Sequence, residues 1–164
     1  MKKYLKFFLY GFIYIILILI FAVMFIVTTR AEIVKPNNQI EPYQVVKIQL
    51  KSLKNNDNPF KNAGIEQTWE FAHPNNREYT GPLKNFTKMM YSSSYQIMLD
   101  HQSHNITLVA EEENMAFFFI ELIDRIGNEY GFQWTLQKVL TEGQFYDCWM
   151  TIGVSRPISL AQST

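Results

Sequence analysis

The chain has 164 residues, 48% of them hydrophobic, with 15 Lys+Arg balancing 15 Asp+Glu and a single cysteine. That length bounds one folded domain and excludes a multidomain enzyme, while the lone Cys148 excludes an intrachain disulfide and a cysteine-based zinc site. Setting aside the first 35 residues, which carry Lys2, Lys3, Lys6, Arg30, Glu32 and Lys35, leaves 10 Lys+Arg against 14 Asp+Glu, the wrong sign for a nucleic-acid partner.

Phe7 to Val27 is a run of 21 residues without a charge, and only Gly11 falls outside the apolar set. At about 1.5 Å per residue, a helix of that length crosses the roughly 30 Å hydrocarbon core. A soluble helix of this size would present at least one polar face. The run therefore reads as a transmembrane anchor within residues 1–30, with the lipid bilayer as its partner. Lys2, Lys3 and Lys6 precede it, and Arg30, Glu32 and Lys35 follow with a weaker positive excess. That asymmetry keeps the amino terminus in the cytoplasm and places the rest of the chain outside it. Tyr4, Tyr10 and Tyr14 suit the headgroup level on the amino-terminal side. A cleaved signal peptide is the rival reading. Signal apolar regions run about 7–15 residues, and the best cleavage site, Thr29-Arg30-Ala31, carries an arginine in its middle.

Residues 31–42, with Lys35-Pro36-Asn37-Asn38, read as a polar linker ending at Pro42. From Tyr43, the residues Val46, Leu50 and Leu53 recur at helical spacing, supported by Val45 and Ile48. Asn55-Asn56-Asp57-Asn58-Pro59 stops that helix. A second helix turns Ile65, Trp69 and Ala72 inward and ends before Pro74, because the residue preceding proline disfavours helix. Pro82 suits the first turn of a third helix that shows Leu83, Phe86 and Met90 on one side.

After Ser103 the period becomes two. Ile106, Leu108 and Ala110 alternate with polar residues, and Met115 to Ile120 is continuous enough to predict a central strand covered on both faces. Tyr130, Phe132, Trp134, Leu136 and Leu140 alternate with Gln133, Thr135 and Gln137, and the last strand alternates Tyr146, Cys148, Met150, Ile152 and Val154. Turn residues fall at Glu111 to Asn114, Gly127-Asn128 and Glu142-Gly143, where antiparallel hairpins need them. Helices followed by meandering strands predict an α+β domain over residues 43–156, three helices on a four-stranded antiparallel sheet, with residues 157–164 as a tail. Seventeen aromatic residues lie beyond Pro36, enough to fill a core or to line a cavity.

Several segments carry a family resemblance. The stretch Val45 to Asp57, then Phe71-Ala72-His73-Pro74, Gly81-Pro82-Leu83 with Phe86, and Cys148-Trp149-Met150 with Gly153 resemble the successive landmarks of domain-of-unknown-function family 4864. The likeness covers about residues 43–154. That family is similar to the nuclear transport factor-like superfamily, and the resemblance implies helices packed into a curved antiparallel sheet, a cone with an internal pocket. Superfamily members include isomerases, dehydratases, ligand binders and scaffolds, so the fold alone does not assign an activity.

Among polar residues, Gln49 is the most informative. It sits between Val46, Leu50 and Leu53 on an apolar helix face, where an unpaired amide costs about 1–3 kcal/mol. It either fixes the packing by bonding the fold, which is the commoner case, or points into the pocket toward a ligand. His73 and Asp147 are the acid/base candidates, but Asp147 lies on the strand face opposite Cys148 and Met150, which argues against their meeting. A helix-terminal histidine and an exposed aspartate is the plainer reading. Asp100, His101 and His104 lack a third converging ligand, so no metal is implied. Cys148 reads as a small core residue, Glu111-Glu112-Glu113 as a solvated hairpin tip, and Asn85-Phe86-Thr87 and Asn105-Ile106-Thr107 as chance glycosylation sequons.

No nucleotide loop, nucleophile elbow or zinc-protease motif is present. No catalytic residue is assigned and no cofactor is implied. The sequence thus predicts a membrane-anchored, non-enzymatic binding or assembly module, self-associating or meeting a protein partner. The alternative is a small-molecule binder, lyase or isomerase using the cone interior, lined by Gln49, Trp69, His73 and Trp134.

Overall fold

The computed structural model describes residues 10–18, 20 and 33–160. The chain divides into two compact units at the boundary between Glu32 and Ile33. In the first, residues 10–18 are helical. Among the described residues no helix is long and apolar enough to cross a membrane, and the remainder of Phe7–Val27 lies outside them.

The second unit is α+β. Four α-helices precede the sheet, not three: α1 (Pro42–Lys54), α2 (Ala63–Glu70), α3 (Pro74–Thr80) and α4 (Leu83–Met90), then a 3-10 turn at Gln96–Met98. The additional helix, α3, begins at Pro74, the residue before which the sequence predicts a helix end. Proline tolerates the first helical position because its missing N–H has no partner there, and His73 Nδ1 accepts the Asn75 N–H to cap it. None of the α3 residues is buried, so α3 carries no apolar period to read.

Helix α1 buries Val45, Val46, Gln49, Leu50 and Leu53 along one stripe. Helix α2 comes against it through Gly64, where an added Cβ would lie 2.1 Å from the Ser52 carbonyl oxygen. Only glycine permits that approach. The connecting turn is tied by Asn56, 1% exposed, whose side-chain oxygen accepts the Ile65 N–H. The segment read as a linker is docked on α2: Val34 exchanges two hydrogen bonds with the Gln67 side chain at 2.7 and 2.8 Å, and Lys35 pairs with Glu70.

The strands β1 (Ser103–Glu111), β2 (Met115–Ile123), β3 (Glu129–Lys138) and β4 (Trp149–Val154) form an antiparallel sheet in that order. A short β5 (Ile158–Ser159) pairs with β3, so residues expected as a tail extend the sheet. Ala116, Phe118, Ile120 and Leu122 of β2 pair with Leu136, Trp134, Phe132 and Tyr130 of β3 on the face that meets the helices. Fully burying each leucine, isoleucine or phenylalanine among them stabilises by about 1.5–3 kcal/mol.

Three strand expectations are corrected. In β1, Leu108 and Ala110 are exposed, because a bulge after Leu108 disturbs the pairing and the strand forms the sheet edge. In β2 the second face is half-buried, with Glu121 exposed, because among the described residues the helices pack on the other face. In β4, Trp149 and Thr151 face the main core, while Cys148 and Met150 join Val139 in a separate small cluster. Asp147, with φ 58°, turns the chain just before the strand and sets that orientation.

Candidate functional site

A polar knot sits where α1, α2, β3 and β4 meet. Gln49, 1% exposed, donates from Nε2 to the Thr68 carbonyl at 3.0 Å. Its Oε1 accepts the Trp134 indole N–H at 3.1 Å and the Thr151 hydroxyl at 2.7 Å. An indole can only donate and a carbonyl can only accept, so these two partners fix the amide orientation. The Thr68 hydroxyl is also engaged, on the Gly64 carbonyl at 2.8 Å. The amide is satisfied by the fold, through side chains of the strands and the backbone of a helix.

Beside this knot lies a partly enclosed cavity of about 140 Å³. Exposure sorts its lining into a buried floor, which includes Gln49, Thr68, Met90, Met98, Trp134 and Thr151, and a half-buried rim. The rim includes Asn76 and Thr80 of α3, Met89 of α4, Tyr95 and Val154. Val154 pairs with Trp134, so both stand on the helix-facing side of the sheet. None of the lining residues is charged.

Of the four residues expected at the pocket, Gln49 and Trp134 line the cavity and Trp69 and His73 do not. Trp69 packs against the core from α2 with the Arg77 guanidinium 3.9 Å from its ring centre. Its Nε1 is buried without a hydrogen-bond partner among the described residues. Arg77 donates to the carbonyls of Ala72, Trp69 and Glu70, closing the C-terminal end of α2 and tying α3 to it. Burial lowers its pKa, opposed by the Glu70 carboxylate.

His73 is 6% exposed and sits between α2 and α3 as the cap described above, not at a helix C-terminus. Burial holds its pKa below the ordinary histidine value, with a hydrogen bond to the Lys138 backbone opposing. Asp147 is bonded to Lys138 at 2.9 Å. The two acid/base candidates are thus engaged with other partners. Cys148 is buried, and burial followed by the Asp147 charge raises its thiol pKa, the opposite of an activated nucleophile.

His101 and His104 do meet. His101, 2% exposed, donates Nδ1–H to the Met98 carbonyl at 2.7 Å, which leaves Nε2 to accept the Nδ1–H of His104 at 2.6 Å. Burial is the first cause that pushes His101 down to about 4; the Met98 carbonyl opposes it, and His104 and Lys54 add to it. Among the described residues no group of three ligands is placed to hold a metal.

The polar residues that periodicity overlooked are Thr68, Asn76, Arg77 and Thr151. A threonine inside the run Trp149 to Val154 is the one visible signal, since an inward hydroxyl demands a buried partner. No protein-family model, curated protein or solved structure matches the chain.

Proposed function

We propose that the chain is a single-pass membrane protein whose domain beyond the membrane binds a small ligand in the cavity between its helices and its sheet. The observation that carries this reading is the cavity of about 140 Å³ floored by mutually satisfied polar groups. A core selected for stability alone fills such a space, because voids cost about 24 cal/mol per Å³. The volume is close to the roughly 150 Å³ that accepts a benzene-sized guest. The anchor rests on the charge-free run Phe7–Val27, and its orientation, amino terminus in the cytoplasm, on Lys2, Lys3 and Lys6. Helices followed by a meandering sheet around a cavity agree with the resemblance to family 4864 and the nuclear transport factor-like superfamily.

A second reading, a protein assembly module, is favoured by strand β1. Leu108 and Val109 are 48% and 65% exposed on an edge that pairs only with β2 among the described residues. Such an edge is a template for another chain. Native mass spectrometry of the full chain released from detergent micelles separates the two readings. A monomer with a reproducible small added mass is the expected result. A bare dimer or larger oligomer contradicts ligand binding and favours assembly.

A further inference from the structure

The chemistry of the cavity wall narrows the ligand class, given the reading of the cavity as the ligand site. None of the lining residues carries a charge. The nearest cation along α3, Arg77, is turned onto the end of α2 and the Trp69 ring. A carboxylate or ammonium entering here would lose its water without meeting an opposite charge, which is strongly unfavourable.

The hydrogen-bond donors of the wall are also largely used, although a hydroxyl that donates keeps lone pairs that can accept. The hydroxyls of Thr68, Thr80, Thr151 and Tyr95 donate to Gly64, Asn76, Gln49 and Val154, and the Trp134 N–H donates to Gln49 and Thr151. Asn76 is different. Its Nδ2 donates to the Thr151 carbonyl at 3.1 Å, which holds the side chain at the rim, and among the described residues no donor bonds its Oδ1. An amide oxygen on a side chain held at the cavity rim can accept a hydrogen bond from a guest.

We infer that the cavity takes an uncharged molecule about the size of a single ring, with an apolar body and one hydrogen-bond donor directed at Asn76 Oδ1. Alcohols, phenols and primary amides belong to that class. Asn76 is the residue that discriminates them from plain hydrocarbons.

The test uses the full chain in detergent micelles with ¹³C-methyl methionine. Met90 and Met98 line the cavity, whereas Met115 and Met150 do not and serve as internal controls. Benzyl alcohol, toluene, benzoate and benzylammonium are titrated, with free probe fixed by dialysis against the same micelles. Benzyl alcohol is expected to shift Met90 and Met98 saturably, about threefold to tenfold more tightly than toluene. Benzoate and benzylammonium are expected to bind at least about a hundredfold more weakly. Asn76→Ala removes the advantage of the alcohol while toluene still binds, which also shows that the variant is folded. Benzoate or benzylammonium binding as tightly as the alcohol overturns the uncharged class while leaving the cavity a ligand site. An alcohol advantage that survives Asn76→Ala overturns the role of Asn76. Failure of both toluene and benzyl alcohol to move Met90 and Met98 removes the ligand-site reading itself.

Discussion

The floor and the rim of the cavity are built by different physics. The floor residues Gln49, Thr68, Trp134 and Thr151 are at most 5% exposed and bond to one another across four elements. The rim is carried by α3, a helix with no buried residue that is held through the Arg77 fork and the Asn76 bond to Thr151. Losing a floor contact strands a buried polar group. Losing a rim contact exposes a group that water satisfies. The floor is therefore a determinant of stability, and the rim is where selectivity varies at small structural cost.

The largest effect that sharpens this contrast is on the floor. Gln49→Leu keeps roughly the side-chain volume but leaves the Thr151 hydroxyl without its acceptor, while the Thr68 carbonyl keeps the Phe71 N–H and the Trp134 N–H keeps Thr151. We expect a loss of about 1–3 kcal/mol for the hydroxyl left unpaired, read by denaturant unfolding. A loss under about 1 kcal/mol would mean that the knot relaxes freely and the contrast fails.

His101 supports the floor through the Met98 carbonyl and provides a pH-dependent version of the same test. Its folded pKa, about 4, lies below the ordinary 6.5, so the unfolded chain binds the proton more readily. Stability is therefore full above pH 6.5 and falls as pH drops toward 4, by about 3 kcal/mol for this group. His73 shifts in the same direction, and its protonation removes the acceptor that caps α3. Unfolding midpoints measured at pH 7 and pH 4.5 should differ less in His101→Gln than in the parent chain. An unchanged difference would show that His101 is not the group that titrates.

The smallest expected effect is at the rim. Arg77→Met removes the hydrogen bonds to Trp69, Glu70 and Ala72 and costs about 1–2 kcal/mol. Hydrogen exchange should quicken across residues 74–80 and stay slow at Trp134 and Leu136. Faster exchange at both places would join rim and floor into one cooperative unit.

Legibility in the sequence follows the same division. Phe132, Trp134 and Leu136 alternate as buried residues because β3 has one dry face, and period two reports that directly. The stripe of α1 is legible for the same reason, and Gln49 stands out within it. In β4 the pattern misled: Cys148 and Met150 are apolar and buried, but in the smaller cluster, and the inward residue at the knot is polar Thr151. Hydropathy cannot register a position whose reason is a hydrogen bond to a residue 102 positions away. Helix α3 was invisible because its role is to roof a cavity rather than to fill a core. The junction at His73 is legible but not its helix, since α2 already ends at Glu70 and the proline after His73 starts the next helix.

The space beside Gln49 is a mainly apolar cavity reachable from solvent. Xenon titration of the full chain, followed at the methionine methyls, tests it without assuming any ligand, because xenon enters apolar cavities of this size. The account predicts saturable shifts at Met90 and Met98 with Met115 and Met150 unmoved. Equal small drifts at all four methyls, or none at Met90 and Met98, would contradict it.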